Sequence, residues 1–306
     1  MTSTHKDGGP RLGRVGVWTF AFDGRPVGEL RDAAAEIEEL GYGALWFGEG
    51  FGRDSVSQAW LLLSATRRIT VAAGIANIAL RDPISMAAAE RALNEAHPSR
   101  YLLGLGGHRV SDTPIPMDGY LIPSLGKAVD TMGAYLDAMD AIPLSSPPPP
   151  RPPHRMLAAL GPKMLALAAR RTLGAHTYFV PVDHTARARK IMGPDALLAV
   201  EQAVVLDHDL DRAREVAREH VSGYRDAAPH QIANLRRLGF GEDEIAHGSD
   251  RLVDAIVAYG GAEEIEKRVR DHFDAGADHV CLQVLTARSG ELPLAQWREL
   301  SHLTAL

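Results

Sequence analysis

The chain has 306 residues, 45% hydrophobic and 24% charged, with 39 acidic against 33 basic residues and a net charge of −6. No apolar run approaches the roughly 18 residues that span a bilayer, and charges of both signs are interspersed, which argues against a membrane span and against a nucleic-acid or anionic-membrane surface. The single cysteine, Cys281, excludes an intramolecular disulfide and lies within the apolar stretch "HVCLQVL", where an inert core thiol is expected. Only five of the 33 basic residues are lysine, a bias typical of GC-rich genomes. Small-molecule chemistry is the leading class.

From the N-terminus, "MTSTHKDGGPRLGR" is polar and glycine-rich without the apolar core of a signal peptide. Residues 1–12 are therefore expected to be a flexible tail and the protein cytoplasmic. A strand is expected near 13–18, then a helix whose apolar stripe is Leu30, Ala33, Ala34, Ile37 and Leu40. Three times a helical pattern ends in glycine and passes almost at once into an apolar strand: "EELGYGALWF" (38–47), "RTLGAHTYFV" (171–180) and "DAGADHVCLQVL" (274–285). Glycine after a helix accepts the left-handed conformation that stops it, and a short connection then delivers a parallel strand. Further strands are expected near 69–75, 101–106, 156–160 and 199–206. Asp82-Pro83 and Gly161-Pro162 read as helix starts. Eight such units at this length imply a single domain, an α/β (β/α)8 TIM barrel, in preference to a doubly wound sheet.

Two segments exceed a minimal barrel. "SSPPPPRPPH" (145–154) reads as a stiff surface connection, with an SH3-type ligand as the alternative. Residues near 207–262 read as a helical insertion between strands 7 and 8, placed to lie over the barrel mouth or against a partner subunit.

In such barrels chemistry sits where strands end. Those positions carry Trp18 and Phe20, Glu49, Gly74 to Asn77, Gly106-Gly107-His108-Arg109, Leu160-Gly161-Pro162-Lys163, Pro181 with "DHT" (183–185), and Gln283 to Arg288. The rim is aromatic, glycine-rich and sparing in charge, which suits a flat heteroaromatic ligand. Glycines admit a ring edge, and the start of the helix after Gly161 offers N–H groups to an anion, with Lys163 beside them. There is no paired His-x-His and no local ligand spacing for a metal, so a metal-dependent hydrolase built on His108, His176 and His184 is disfavoured.

The stretches "LGYGALWFGE", "TVAAGIANIALRDP", "PSRYLLGLGG", "AYLDAMDA" and "LAALGPKMLALAARR" followed by "GAHTYFVPVDHTARARKIMGP" resemble the bacterial-luciferase-like flavin and deazaflavin oxidoreductases, in particular the actinobacterial F420-dependent branch. The resemblance runs from about residue 13 to 300. It implies a non-prolyl cis peptide at Gly74-Ile75 that bulges against the back of a tricyclic ring. It also implies Glu49 and Asn77 along the ring edge, Gly106 and Gly107 beside the ring and phosphate, Leu160-Gly161-Pro162 on the tail and phosphate, and His184-Thr185 closing over it. Trp18, Lys163 and Pro181 complete the expected cofactor contacts. His176 is expected in a strand or pocket wall. The family's small hydroxyl residue is missing from "GLGGHRV" (104–110), which puts His108-Arg109 where Ser-His is usual: either the match slips by one, leaving His108 as the family histidine, or the phosphate or substrate contacts differ. The implied reaction is hydride transfer between C5 of the deazaflavin F420 and a small organic substrate, with His108 and Glu49 as candidate proton donors or acceptors. The alternatives are an FMN-dependent monooxygenase using O2 and a separate reductase, and an inactive cofactor-binding homologue. A homodimer is expected by the same analogy.

Overall fold

The computed structural model describes residues 9–50, 52–107, 115–117, 120–122, 127–288 and 290–306. The first βα units form as their patterns dictate. Strand β1 (Val15–Thr19) leads to α1 (Val27–Glu39), which buries Leu30, Ala33, Ala34 and Ile37 on one stripe. Gly41 (φ +88°) then releases the chain into β2 (Ala44–Phe47). Helix α2 (Ser55–Ala65) is followed by β3 (Thr70–Ala73), a two-residue β4 (Ala76–Asn77) and α3 (Pro83–Ala96). The start of α3 is the expected one: the Asp82 carboxylate accepts the N–H groups of Ile84 and Ser85, and Pro83 stands at the first helical position.

Strand β5 (Tyr101–Gly106) is followed by a hairpin, β6 (Ile115–Met117) and β7 (Tyr120–Ile122), then by α4 (Ala128–Ala141). The proline-rich segment runs without regular structure to β8 (His154–Ala158), held by the Arg91 guanidinium on the carbonyls of Leu144 and Ser146. Next come α5 (Pro162–Arg171), β9 (Gly174–Thr177), α6 (Val182–Met192) and β10 (Leu197–Leu206). The insertion is α7 (Leu210–Ala227), α8 (Pro229–Leu238), α9 (Glu242–His247), α10 (Asp250–Ile256) and β11 (Val257–Gly260). Helix α11 (Ala262–Asp274), β12 (His279–Val284), α12 (Leu294–Leu300) and a short 3-10 helix (Ser301–Ala305) complete the described fold.

Eight parallel strands close into a barrel in the order β1, β2, β3, β5, β8, β9, β10, β12 and back to β1. This is the expected (β/α)8 architecture. The larger core lies between strands and helices, and a second cluster of Trp18, Trp46, Leu102, Met156, Ala199 and Cys281 fills the barrel interior. Strand β10 is long enough to serve three neighbours. It pairs with β9 through Leu197–Val200 and with β11 through Ala203–Leu206, while β12 covers Ala199–Val204 on the other edge. The insertion is thus joined to the barrel wall by backbone pairing as well as by its own core around Leu235, Ile245 and Val253.

Several boundaries differ from expectation, for identifiable reasons. Residues 9–12 are not a free tail: Leu12 is 1% exposed inside the barrel and the Arg11 carbonyl accepts the Thr70 hydroxyl. Residues 1–8 lie outside the described residues. Gly174 does not stop a helix but opens β9, where a Cβ would stand 1.8 Å from the Leu197 carbonyl oxygen, so glycine is required by the approach of β10. Strand β9 ends at Thr177 because Phe179 turns left-handed (φ +57°). Strand β8 begins two residues before the expected start, at the last residue of the proline-rich run.

Candidate active site at the barrel mouth

Alternation along the strands sorts the mouth into two unlike halves. Gly48, Gly74, Gly106 and Ala158 follow or end β2, β3, β5 and β8, whereas Trp18, Tyr178, Glu201 and Gln283 come from β1, the end of β9, β10 and β12. On the small half, backbone clearance is the controlling quantity. A Cβ on Gly106 would stand 2.8 Å from the Ala158 Cβ and 2.9 Å from Ile75, so these residues let Ile75 fold down as an apolar shelf. A Cβ on Gly48 would overlap the Phe20 ring at 2.5 Å. The Gly74–Ile75 peptide bond is cis, at the bond the resemblance named. The Gly74 carbonyl accepts the Trp18 indole N–H at 3.2 Å. Trp18 is buried, packs edge-on to Phe20 (4.6 Å) and touches Tyr178 (4.9 Å), so the two halves meet through one indole.

Glu49 does something other than wait for a proton. Its side chain is 2% exposed, and its oxygens accept the Ser55 N–H and the Asn77 N–H, each at 2.8 Å, and both terminal nitrogens of Arg81. Arg81 also reaches Asp54, the cap of α2. Both carboxylate oxygens thus each accept two hydrogen bonds, and Glu49 ties the loop after β2 to the loop after β3. Asn77 is held in turn, with its side-chain oxygen accepting the Ala79 N–H at 3.0 Å and its backbone pairing with Gly106. Gly107 (φ +81°) lies against that amide, where a Cβ would stand 2.2 Å from Asn77 Oδ1. His108 and Arg109 lie outside the described residues.

At the ends of β8 and β9, helices α5 and α6 both begin without a side-chain cap, so the Lys163, Met164, Val182 and Asp183 N–H groups are free of capping side chains. Pro162 and Lys163 are exposed, and the Arg237 guanidinium of α8 lies 3.8 Å from where a Gly161 Cβ would be. Two positive helix ends with a lysine and an arginine at hand make a place for an anion. His184 and Thr185 do not close over it. Both are buried, on the inner face of the first turn of α6. His184 Nε2 faces the Leu160 carbonyl at 2.9 Å, so that nitrogen carries the proton and donates; burial, reinforced by nearby Arg237 and Arg187, lowers the ring's pKa. The Thr185 hydroxyl is spent on His272 Nδ1 (2.9 Å), whose Nε2–H donates to Gln202 Oε1 (2.8 Å).

Below the mouth, His176 stacks on Trp46 (4.6 Å), as expected of a wall residue, and burial pushes its pKa down to about 3. Trp46 donates to His279 Nε2 at 3.0 Å, leaving Nδ1–H for the Gly13 carbonyl. The polar half of the mouth was the part not anticipated. Tyr178 binds both Gln283 (2.8 Å) and Tyr224 of α7, and buried Glu201 accepts the Phe179 N–H at 3.0 Å. One signal was available: "LLAVEQAVVL" (197–206) sets a carboxyl in the middle of a buried strand. No group of three or more metal-ligating side chains occurs among the described residues, and no described helix is long and apolar enough to cross a membrane.

A family model described as luciferase-like monooxygenase matches residues 3–116 and 121–279. No curated protein matches the sequence. Among solved structures, an F420-dependent secondary alcohol dehydrogenase in complex with an F420-acetone adduct is similar over 95% of this chain and 98% of that one, with TM-score 0.71 and 16% identity. A coenzyme F420-dependent tetrahydromethanopterin reductase from Methanopyrus kandleri covers 95% and 97%, with TM-score 0.65 and 14% identity. The oxygenating constituent of 3,6-diketocamphane monooxygenase from Pseudomonas putida, in complex with FMN, covers 95% and 96%, with TM-score 0.69 and 13% identity.

Proposed function

The chain belongs to the luciferase-like monooxygenase family, and within that family we propose that it is an F420-dependent oxidoreductase acting on a small organic substrate. The observation that carries this reading is the divided mouth: an apolar shelf at Ile75, given room by Gly106 and Ala158, beside two uncapped helix ends. A flat ring with an anionic tail fits both features at once. Neighbours of similar fold include F420 and FMN proteins alike, so the choice of F420 rests on the "ALGPKM" and "HTARA" stretches of the sequence.

When bound, the deazaflavin would give or take a hydride at C5, with one-electron and oxygen chemistry disfavoured by the carbon at that position. The chain's own residues do the rest. Gly74 and Ile75, backed by Trp18, would support the ring from below; Asn77, Gly106 and Gly107 would border its edge. Leu160, Gly161, Pro162 and Lys163, with the α6 start after Pro181, would hold the tail through backbone N–H groups and the lysine. Glu49 fixes Asn77 and so the ring edge. His108 is the proposed proton donor or acceptor. Phe20, 41% exposed above Trp18, and α7 over the opposite side would exclude water.

The test is a fluorescence titration of the purified protein with F420 and, separately, FMN. Preferential F420 binding, followed by turnover of reduced or oxidised F420 with a substrate panel, is the expected result. Preference for FMN with oxygen consumption would move the protein to the monooxygenases, and F420 binding with no turnover on any panel would mark an inactive homologue. We further infer a homodimer: Trp60 on α2, with Leu80 and Ile84 around the start of α3, leaves apolar surface exposed that a second copy would cover. Light scattering on the eluted protein should give the dimer mass.

A further inference from the structure

The polar half of the mouth is assembled from distant parts of the chain, and its hydrogen bonds have a direction. The Gln283 Oε1 atom can only accept, so its 2.8 Å contact is a donation from the Tyr178 hydroxyl. Tyr178 has a single proton to give, so its bond with Tyr224 is filled by Tyr224 as donor. The Tyr224 oxygen keeps its lone pairs for a further partner. Burial raises both phenol pKa values, so both hydroxyls stay protonated at neutral pH.

Glu201 organises this pair from inside the barrel. Its Oε2 accepts the Phe179 N–H at 3.0 Å, at a bulky aromatic residue in a left-handed conformation that such residues rarely adopt. The Phe179 ring stacks on Tyr224 at 4.5 Å and 25°. One carboxyl therefore fixes the turn that follows Tyr178 and the ring against which Tyr224 packs. Glu201 Oε1 has no partner among the described residues, and burial pushes the carboxyl up to about 8, which favours its neutral form. Among the described residues the titratable groups that feel its charge are Tyr178, Tyr224 and Cys281, none of them a cation.

We propose that the substrate's reacting group is an uncharged oxygen function, a carbonyl or a hydroxyl, hydrogen-bonded by the Tyr178–Tyr224 pair, and that Glu201 is the positioning residue of that pair. An alcohol donates to the Tyr224 oxygen as it stands, and a carbonyl accepts the Tyr224 proton once that hydroxyl rotates. Among the described residues no cation acts on the pair and Arg81 is already taken by Glu49 and Asp54, so a carboxylate or phosphate would be desolvated there without a described partner. This inference rests on the deazaflavin reading for its turnover assay.

The experiment uses the full chain. Turnover with F420 is measured on aliphatic, alicyclic and aryl ketones, the matching secondary alcohols, and carboxylates of the same skeletons. Turnover should be confined to the neutral compounds. Tyr224→Phe should raise KM for the best ketone about tenfold with a smaller change in kcat, the loss expected for one hydrogen bond, while F420 affinity stays within about threefold. Glu201→Leu should reproduce that loss, and Glu201→Gln, which keeps an acceptor for Phe179, should recover most of it. A readout free of turnover is the infrared carbonyl stretch of a 13C-labelled cyclohexanone added to the cofactor-free protein, expected at lower frequency than in water-free solvent and restored towards that value in Tyr224→Phe. Turnover of carboxylates alone, no turnover of any ketone or alcohol by an enzyme that binds F420, or a KM and carbonyl stretch indifferent to Tyr178→Phe and Tyr224→Phe would overturn the proposal. If F420 does not bind at all, the deazaflavin reading fails, and the infrared measurement still decides the tyrosine pair.

Discussion

Replacing Glu49 separates a tether from a catalyst. Glu49→Ala removes both Arg81 contacts and the acceptor for the Ser55 and Asn77 N–H groups, at a side chain 2% exposed facing an arginine 11% exposed. Breaking a buried ion pair from one side costs about 3–5 kcal/mol, because a charge is left without its partner. Asp54, itself 45% exposed, keeps hold of Arg81 and places the expected loss at the lower end, about 3 kcal/mol. For a chain of this size that corresponds to a fall in Tm of about 6 °C. Removing the stranded charge as well, in Glu49→Ala/Arg81→Ala, should return part of the loss, with a coupling of about 2 kcal/mol across the cycle. Calorimetry of the four cofactor-free proteins measures the stability terms, and F420 titration of the same set should show weaker binding wherever Asn77 has lost its anchor. A Glu49→Gln protein with Tm and F420 affinity within error of the parent, but kcat lower by about a hundredfold, would refute this reasoning and return Glu49 to the acid–base role.

Other consequences can be read from the same geometry. Gly107→Ala forces a left-handed alanine and drives its Cβ into the Asn77 amide, for an expected cost of about 2–3 kcal/mol and a clear loss of F420 affinity; Gly239→Ala, left-handed but in open space, should cost about 1 kcal/mol and leave binding alone. His176, His272 and His220 are held neutral by burial, with pKa values of about 3, 3 and 4 in the fold against about 6.5 unfolded. The unfolded chain therefore takes up protons that the fold refuses, and stability should fall as pH drops from about 6.5 towards 4, by up to about 1.4 kcal/mol per pH unit for each histidine. Denaturant titrations across that window check it, and a flat profile would mean the rings are protonated in place. Cys281, buried and with its thiol pKa raised, should ignore thiol reagents until the protein is unfolded.

The barrel was legible because its signals are local and repeated: the α1 stripe, the Asp82-Pro83 start and the glycines at 41 and 276 each act over a few residues. The shelf was legible through resemblance, since nothing in "AAGIAN" alone says that Ile75 must lie across Gly106 and Ala158. What stayed hidden depends on contacts distant in sequence. Gly174 looked like a helix stop because the demand on it comes from Leu197, a strand away. His184 and Thr185 looked like ligand contacts because their partners, Leu160 and His272, lie 24 and 87 residues off. Tyr224 was unreadable as a mouth residue, being one tyrosine on a polar helix whose docking is set by Phe179 and the pairing of β11 with β10.

The two halves of the mouth face evolution under unequal rules. On the glycine side, a Cβ at Gly48, Gly74, Gly106 or Gly107 would stand between 2.2 and 2.8 Å from a neighbouring side chain, so an added atom collides and the sequence there has little freedom to drift. Across the opening, Tyr224 and His220 are helical positions on an insertion that pairs with one edge of β10 and packs against it, and neither takes part in the strand pairing that closes the barrel. On the proposed reading, a change of substrate would be sought on α7, in a library confined to one helix, while the half proposed for the cofactor would be left unchanged.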